Sequence, residues 1–280
     1  MFRDDLLQDK RVLITGGGTG LGKSMGRRML ELGARLVICG RREGVLAETA
    51  AEFDADFPGR TAHHVCDIRD AAAVEAMVEA AWAAGPLDAL INNAAGNFIA
   101  RTETLSPRAV DAVLGIVLHG TAYVTLACGK RWIAEARPAA VLSIVATYAW
   151  TGSAYVVPSA MGKAGVLALT RSLAVEWGPQ GIRLNAIAPG PFPTEGAWGR
   201  LVPDKETEAA WKQRIPVGRF GEHGELANLA AYLVADESAY INGEVVTIDG
   251  GEWLKGAGQF SVMERLSDDD WAAMRERKGG

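Results

Sequence analysis

"RVLITGGGTGLGKSMGRRMLEL", residues 11–32, opens on apolar and β-branched residues, breaks into glycines and continues with helical spacing. Residues 11–16 read as a buried strand and 21–32 as a helix. Between them "TGGGTGLG" (15–22) sets Gly16, Gly20 and Gly22 in the pattern G-x-x-x-G-x-G. Glycine lets the chain turn sharply and lets its backbone approach a ligand. The helix N-terminus behind it offers unpaired N–H groups to an anion. A glycine run alone is equally the mark of a tight turn. The strand before it and the helix after it point to a dinucleotide, cradled by Gly16, Gly17, Gly18, Thr19, Gly20 and Leu21.

The same alternation runs outward through the chain. Strands are expected at 35–40, 62–67, within 88–96, and at 139–146, 182–190 and 243–251. Helices are expected at 43–56, 70–84, 106–136, 158–177 and 223–235. Continuous apolar strands separated by helices predict a parallel sheet covered on both faces. The fold class is α/β, a doubly wound (Rossmann) seven-stranded sheet in a single domain. Residues 1–251 form the dinucleotide-binding domain, and 252–280 extend it, with a helix start at Asp268–Asp270 before Trp271.

With 280 residues, 49% of them hydrophobic, the chain can bury one large core. A net charge of −5 argues against nucleic acid as the main partner. No membrane-inserted span or signal segment is expected, and only about ten residues precede the first strand, too few for a transit peptide. The C-terminal "RERKGG" is not a peroxisomal address. Cys39, Cys66 and Cys128 form no metal spacing and read as reduced core thiols, which places the chain in a reducing compartment, the cytoplasm. No metal site is expected.

The end of the second strand discriminates between cofactors. A carboxylate there would hold a ribose 2′-hydroxyl, but the string is "CGRRE" (39–43). Arg41 and Arg42 suit a 2′-phosphate, and so NADP, unless both are solvated helix-start charges. Asp67 ends the third strand, either to contact the adenine or to cap helix 70–84.

"TGGGTGLG", "NNAAG" (92–96), "RLNAIAPGPFPT" (183–194) and "IDGG" (248–251), in this order, resemble the short-chain dehydrogenase/reductase family over about residues 10 to 251. The resemblance implies further cofactor contacts from Ile68, from Asn93, Ala94, Ala95 and Gly96, from Lys163, and from Pro189, Gly190, Pro191 and Phe192. Two positions depart from the family pattern. Four residues before Lys163, where most members have a tyrosine, stands Ser159, and His119 stands where an asparagine is usual.

A narrower resemblance accounts for the departure. "INNAAGNF" (91–98), "TYAWTGSAYVVPSAMGKAGV" (147–166), "PGPFPTEGAWGRL" (189–201) and "RIPVGRFGEHGELANLAAYL" (214–233) are similar to the NADPH-dependent 2,4-dienoyl-CoA reductases within that family. There the catalytic tyrosine precedes the lysine by fifteen residues, the separation of Tyr148 and Lys163. The resemblance implies catalytic roles for Tyr148, Asn97, Ser159 and Lys163, with Lys163 holding the nicotinamide ribose and lowering the tyrosine pKa. It implies contacts to an acyl-CoA thioester from Arg69, Phe98, Ser106, Tyr148 and Arg200. Arg69 is also readable as a surface charge and Ser106 as a helix cap. "GAWGRLVP" (196–203) reads as a lid.

Tyr155, eight residues before Lys163, is the rival acid. It would matter more in a reductase acting on another enoyl thioester or a carbonyl. A third reading is an NADP sensor without catalysis. The resemblance also implies a homotetramer, with helices 106–136 and 158–177 as its contact surfaces.

Overall fold

The computed structural model describes residues 2–194, 198, 202 and 204–276. Strand β1 (Arg11–Thr15) buries Val12, Leu13 and Ile14 completely. Because side chains alternate along a strand, Val12 and Ile14 join one core and Leu13 the other. Helix α1 (Gly20–Glu31) packs Met25, Met29 and Leu30 into the first core. A Cβ on Gly26 would lie 2.9 Å from Leu36 of β2 (Arg35–Gly40), so this glycine sets how closely α1 approaches the sheet.

The chain continues through α2 (Glu43–Asp56), β3 (Thr61–Val65), α3 (Ala71–Ala83) and β4 (Ala89–Asn92). After β4 come α4 (Pro107–Leu114), α5 (Thr121–Ala134), β5 (Ala139–Ile144), the single turn α6 (Tyr148–Thr151) and α7 (Val157–Trp177). Then follow β6 (Ile182–Pro189), α8 (Lys205–Arg214), α9 (His223–Val234), β7 (Val245–Ile248), α10 (Glu252–Ala257) and α11 (Asp268–Glu276). All pairings are parallel and the strand order is β3-β2-β1-β4-β5-β6-β7. This is the doubly wound seven-stranded sheet that the alternation predicts. Its order reverses between β1 and β4, which opens a crevice at their C-terminal ends.

Several boundaries differ from expectation, each for a local reason. Helix 106–136 is interrupted by a π-helical segment, Gly115–Gly120. Gly120 lies where a Cβ would sit 2.5 Å from Ile68, and Val117 and Leu118 press on Gly162 and Gly165 of α7. An extra residue in the turn is a known way to re-aim a helix. β4 stops at Asn92 because Asn93 turns inward, its Nδ2 donating to the carbonyls of Thr15 and Gly16 at 3.0 and 3.2 Å. β7 is shorter than 243–251 because Gly243, Gly250 and Gly251 all have positive φ.

The span Pro107–Ala134 is long and apolar enough to cross a membrane by length and composition, with half of its apolar window buried within the fold. Cys39, Cys66 and Cys128 are buried and unpaired. Burial raises all three thiols, Cys66 to about 11 and Cys128 to about 12.

Candidate active site

Two cavities meet the C-terminal ends of the strands. The first, about 360 Å³, lies over the β1–β4 crevice. Gly16, Gly18, Thr19, Gly20, Leu21, Arg41, Arg42, Asp67, Ile68, Asn93, Ala94 and Ala95 line it, as expected from the sequence. The glycine turn is held from three sides. Gly16 N–H donates to the Cys39 carbonyl at 2.8 Å, Asn93 bonds it from β4, and Thr15 Oγ1 accepts from Asn93 and Ala94 N–H at 3.0 Å each. Gly16 and Gly20 have φ of 66° and 52°. A Cβ on Gly22 would sit 2.3 Å from the Gly16 carbonyl oxygen, so only glycine lets the helix start this close to the turn.

Gly17 and Gly96 pack instead against Ile38 and Ile116, and do not line this cavity. Val45, Leu46, Ile116 and Thr194 line it without having been singled out in the sequence. Their apolar or small side chains carry no signal apart from tertiary position.

Arg41 and Arg42 are exposed and form no ion pair among the described residues. Asp67 is held by Arg69, whose Nε lies 2.9 and 3.0 Å from its two carboxylate oxygens and whose Nη2 also donates to it. That pairing, with a smaller contribution from the Arg41 charge, holds the carboxyl below its usual range. The cap of α3 is Asp70, accepting from Ala72 and Ala73 N–H, so Asp67 is not the cap. Arg69 thus sits at the cofactor cavity's edge against Asp67, not in the wall of the second cavity.

The second cavity, about 690 Å³, is lined by Asn97, Tyr148, Tyr155, Pro189, Gly190, Pro191 and Phe192, among others. Tyr148 lies on the turn α6, between β5 and α7. Its hydroxyl is 3.1 Å from Ser159 Oγ on the first turns of α7. Ser159 is buried, and Lys163, one turn on, donates from Nζ to the Ile144 carbonyl at the end of β5. Burial lowers Lys163 to about 8. Burial raises Tyr148 above the usual phenol value, and only the Ser159 hydrogen bond opposes it. The expected lowering of the tyrosine by the lysine charge is therefore corrected: desolvation dominates, and the ammonium is turned toward the β5 carbonyl.

Asn97 lines this cavity; its Oδ1 accepts from Phe98 N–H at 2.9 Å, and its amide N–H₂ has no partner among the described residues. Phe98 is exposed, and its neighbour Ile99 lines the wall instead. Ser106 caps α4, accepting from Ala109 N–H at 3.2 Å. Tyr155 lines the same cavity but is 59% exposed, in a left-handed conformation with φ of 66°. Arg200 and most of the segment 196–203 lie outside the described residues.

The far wall comes from residues to which the sequence reading gave no role, Arg214 among them although it opens the quoted stretch 214–233. Trp211, Arg214, Glu252, Trp253, Gly256 and Ala257 belong to α8 and α10. Trp211 stacks on Trp198 with centroids 5.6 Å apart and donates from Nε1 to Glu252 at 2.8 Å. Trp253 meets Trp150 edge-on at 5.8 Å. A half-buried phenol and an amide donor in the wall of an aromatic-lined cleft can polarise a carbonyl oxygen beside a dinucleotide.

Comparison with known proteins bears on both cavities. A family model described as enoyl-(acyl carrier protein) reductase matches residues 16–252. The chain is 47% identical over 250 residues to the probable 2,4-dienoyl-CoA reductase, (2E)-enoyl-CoA-producing, of Bacillus subtilis (strain 168), covering 89% of this chain and 98% of that one. It is 43% identical over 278 residues to the probable 2,4-dienoyl-CoA reductase 3, (3E)-enoyl-CoA-producing, of Caenorhabditis elegans, covering 97% and 90%. Among solved structures, a short chain dehydrogenase from Bacillus anthracis superposes with a TM-score of 0.80 at 44% identity, covering 87% and 96%.

Proposed function

The chain belongs to the short-chain dehydrogenase/reductase family of oxidoreductases, and on that premise we propose that it reduces 2,4-dienoyl-CoA thioesters with NADPH. The observation that carries the reading is the Tyr148–Ser159 hydrogen bond, 3.1 Å, at the mouth of a cavity that Asn97 also faces. It replaces the usual tyrosine with a serine and brings a tyrosine back to the site from the preceding turn. The similarity to relatives named dienoyl-CoA reductases supports the same substrate class.

The glycine turn fits a dinucleotide. Gly22 lets α1 start against the turn, where a Cβ would meet the Gly16 carbonyl, and Gly20 and Leu21 at the N-terminus of α1 line the crevice. Arg41 and Arg42, free of ion pairs among the described residues, would take the 2′-phosphate. Bound NADPH would supply a hydride to C5 of the dienoyl chain.

In such a substrate the negative charge appears on the thioester oxygen, four carbon–carbon bonds and a carbonyl away from C5. A donor fixed on the lysine helix next to the hydride site would be too near. Tyr148, one turn off that helix, and the Asn97 amide would together hydrogen-bond the oxygen and stabilise the dienolate. A phenol is protonated at neutral pH and burial raises Tyr148 further, so it would act as a hydrogen-bond donor there. Ser159 fixes the phenol's direction, and Lys163 would hold the nicotinamide ribose. A proton then returns to the α-carbon, giving the 3-enoyl thioester and balancing the hydride.

Exposed Leu126 on α5, and Met161 and Val175 on α7, are the surfaces through which a homotetramer would form. The expected extension past residue 251 would belong to the same domain, a reading that α10 (Glu252–Ala257) supports by walling the substrate cavity. Buried thiols fit a reducing compartment such as the cytoplasm.

The test is direct. Purified protein is mixed with NADPH and a 2,4-dienoyl-CoA, the loss of both chromophores is followed, and the product double bond is located. NADPH binding without turnover would remove the substrate assignment, and a 2-enoyl product would remove protonation at the α-carbon alone.

A further inference from the structure

We propose that His223 is a positioning residue for the cofactor site, fixing the segment Pro191–Thr194 over the glycine turn. The proposal rests on reading that turn as the dinucleotide site.

The segment borders both cavities. Pro191 and Phe192 line the substrate cavity, and Thr194 lines the cofactor cavity. Thr194 Cγ2 lies 3.3 Å from where a Cβ on Gly20 would stand, so the threonine closes directly over the turn. Yet the segment has few ways to be held. Pro191 and Pro193 have no N–H to donate, which removes alternate anchor points along it. It is tied by its carbonyls instead. Gly221 N–H donates to the Pro191 carbonyl at 3.1 Å, and His223 Nε2 lies 2.7 Å from the Pro193 carbonyl. Gly221 is required by the Phe192 ring, which a Cβ there would meet at 2.3 Å.

His223 uses both ring nitrogens. Nε2 faces a carbonyl, which only accepts, so Nε2 carries a proton. Nδ1 lies 2.8 Å from Ser24 Oγ, and that hydroxyl lies 3.1 Å from the Gly20 carbonyl. Ser24 has a single hydroxyl proton, which goes either to the Gly20 carbonyl or to Nδ1, so the contacts run from Ser24 on α1 through the His223 ring to the Pro193 carbonyl, with Thr194 packed over Gly20. The ring's own base is firm, because α9 starts with a capping box between Glu222 and Glu225, and Arg219 pairs with Glu225 at 2.7 Å. A side chain that only filled space here would need neither nitrogen.

The test measures NADPH affinity by fluorescence titration, together with KM and kcat, in the full-length protein. His223→Leu is expected to weaken NADPH binding about ten-fold, as loss of a hydrogen bond to a half-buried carbonyl implies, with kcat at saturation changed less than about two-fold. His223→Gln keeps one donor and one acceptor and is expected to restore affinity to within about three-fold of the parent. Ser24→Ala is expected to fall between them. Equal impairment of the Leu and Gln variants, or unchanged NADPH affinity in His223→Leu, would overturn the proposal. Should the Leu variant not fold, unchanged affinity in Ser24→Ala would overturn it as well. A parent protein that binds NADPH but reduces no dienoyl-CoA leaves this titration valid and overturns only the substrate reading. A parent that binds no nicotinamide dinucleotide overturns the cofactor reading and this proposal with it.

Discussion

The cofactor cavity takes nearly all of its wall from residues 16–95, whereas the second cavity takes its wall from residues spread between 97 and 257. The first is mostly backbone: a glycine turn, two strand ends and an asparagine that bonds the turn's carbonyls. The second is mostly side chains, a tyrosine from α6 backed by a buried serine on α7, and tryptophans from α8 and α10. Backbone cradles are rigid and tolerate few substitutions, because a Cβ has nowhere to go. Side-chain walls can be rebuilt residue by residue, which is how an acid can move from one element to its neighbour while the lysine stays.

The comparison is sharpened most by the two tyrosines. Tyr148→Phe is expected to lower kcat by about 10²–10³, the usual cost of removing one oxyanion donor, with NADPH affinity unchanged. Tyr155→Phe, at an exposed position with no side-chain hydrogen bond among the described residues, is expected to lower it less than about three-fold. Steady-state kinetics of the two variants decides the matter, and the reverse pattern would move the acid to Tyr155.

Next in size is the phosphate pair. Replacing Arg41 and Arg42 together by Ala is expected to cost about 10²-fold in NADPH affinity and to leave NADH affinity nearly unaltered, since at exposed positions each charge-assisted contact contributes about 1.5 kcal/mol. Titration with both dinucleotides reads this, and equal losses would break the assignment. For the cradle itself, Gly22→Ala is expected to destabilise the protein by about 1–3 kcal/mol through overpacking against the Gly16 carbonyl. Gly224→Ala, with open space around its Cβ position, is the control, and equal melting shifts for the two would refute the close-approach argument.

The smallest expected effect concerns pH. Lys163 is charged below about 8 in the cofactor-free protein and neutral above it. Raising the pH from about 7 to about 9 is therefore expected to weaken NADPH binding several-fold, as the ammonium that would hold the ribose is lost. Lys163→Arg should flatten the profile even if it binds less tightly. The same shift bears on stability with a definite sign. Between about 8 and 10.5 the unfolded chain retains a proton that the folded one has shed, so this lysine's contribution rises with pH over that window.

Much of the fold was legible because it is encoded locally. Glycines at 16, 20 and 22 after an apolar strand specify a turn whatever surrounds it, and apolar runs between helices specify a parallel sheet. Boundaries failed where a neighbour intervened. The 115–120 π-segment depends on Ile68 and on glycines of α7, and the end of β4 on the glycine turn of β1. In the candidate site, spacing beside a resemblance singled out Tyr148, Ser159 and Lys163, and the structure brings the Tyr148 hydroxyl to Ser159. Trp211, Glu252 and Trp253 were not legible, because nothing in an exposed-looking C-terminal stretch reveals which cavity it will face.

By itself, then, the sequence determined the sheet, the position of the glycine turn and the charge at the second strand's end, since each follows from short-range sterics, periodicity or charge. Only the tertiary structure decided that Tyr148 is set by burial and Ser159 rather than by Lys163, and that His223 reaches both Ser24 and the Pro193 carbonyl. Those facts depend on desolvation and on contacts between segments up to about two hundred residues apart, which no local pattern carries.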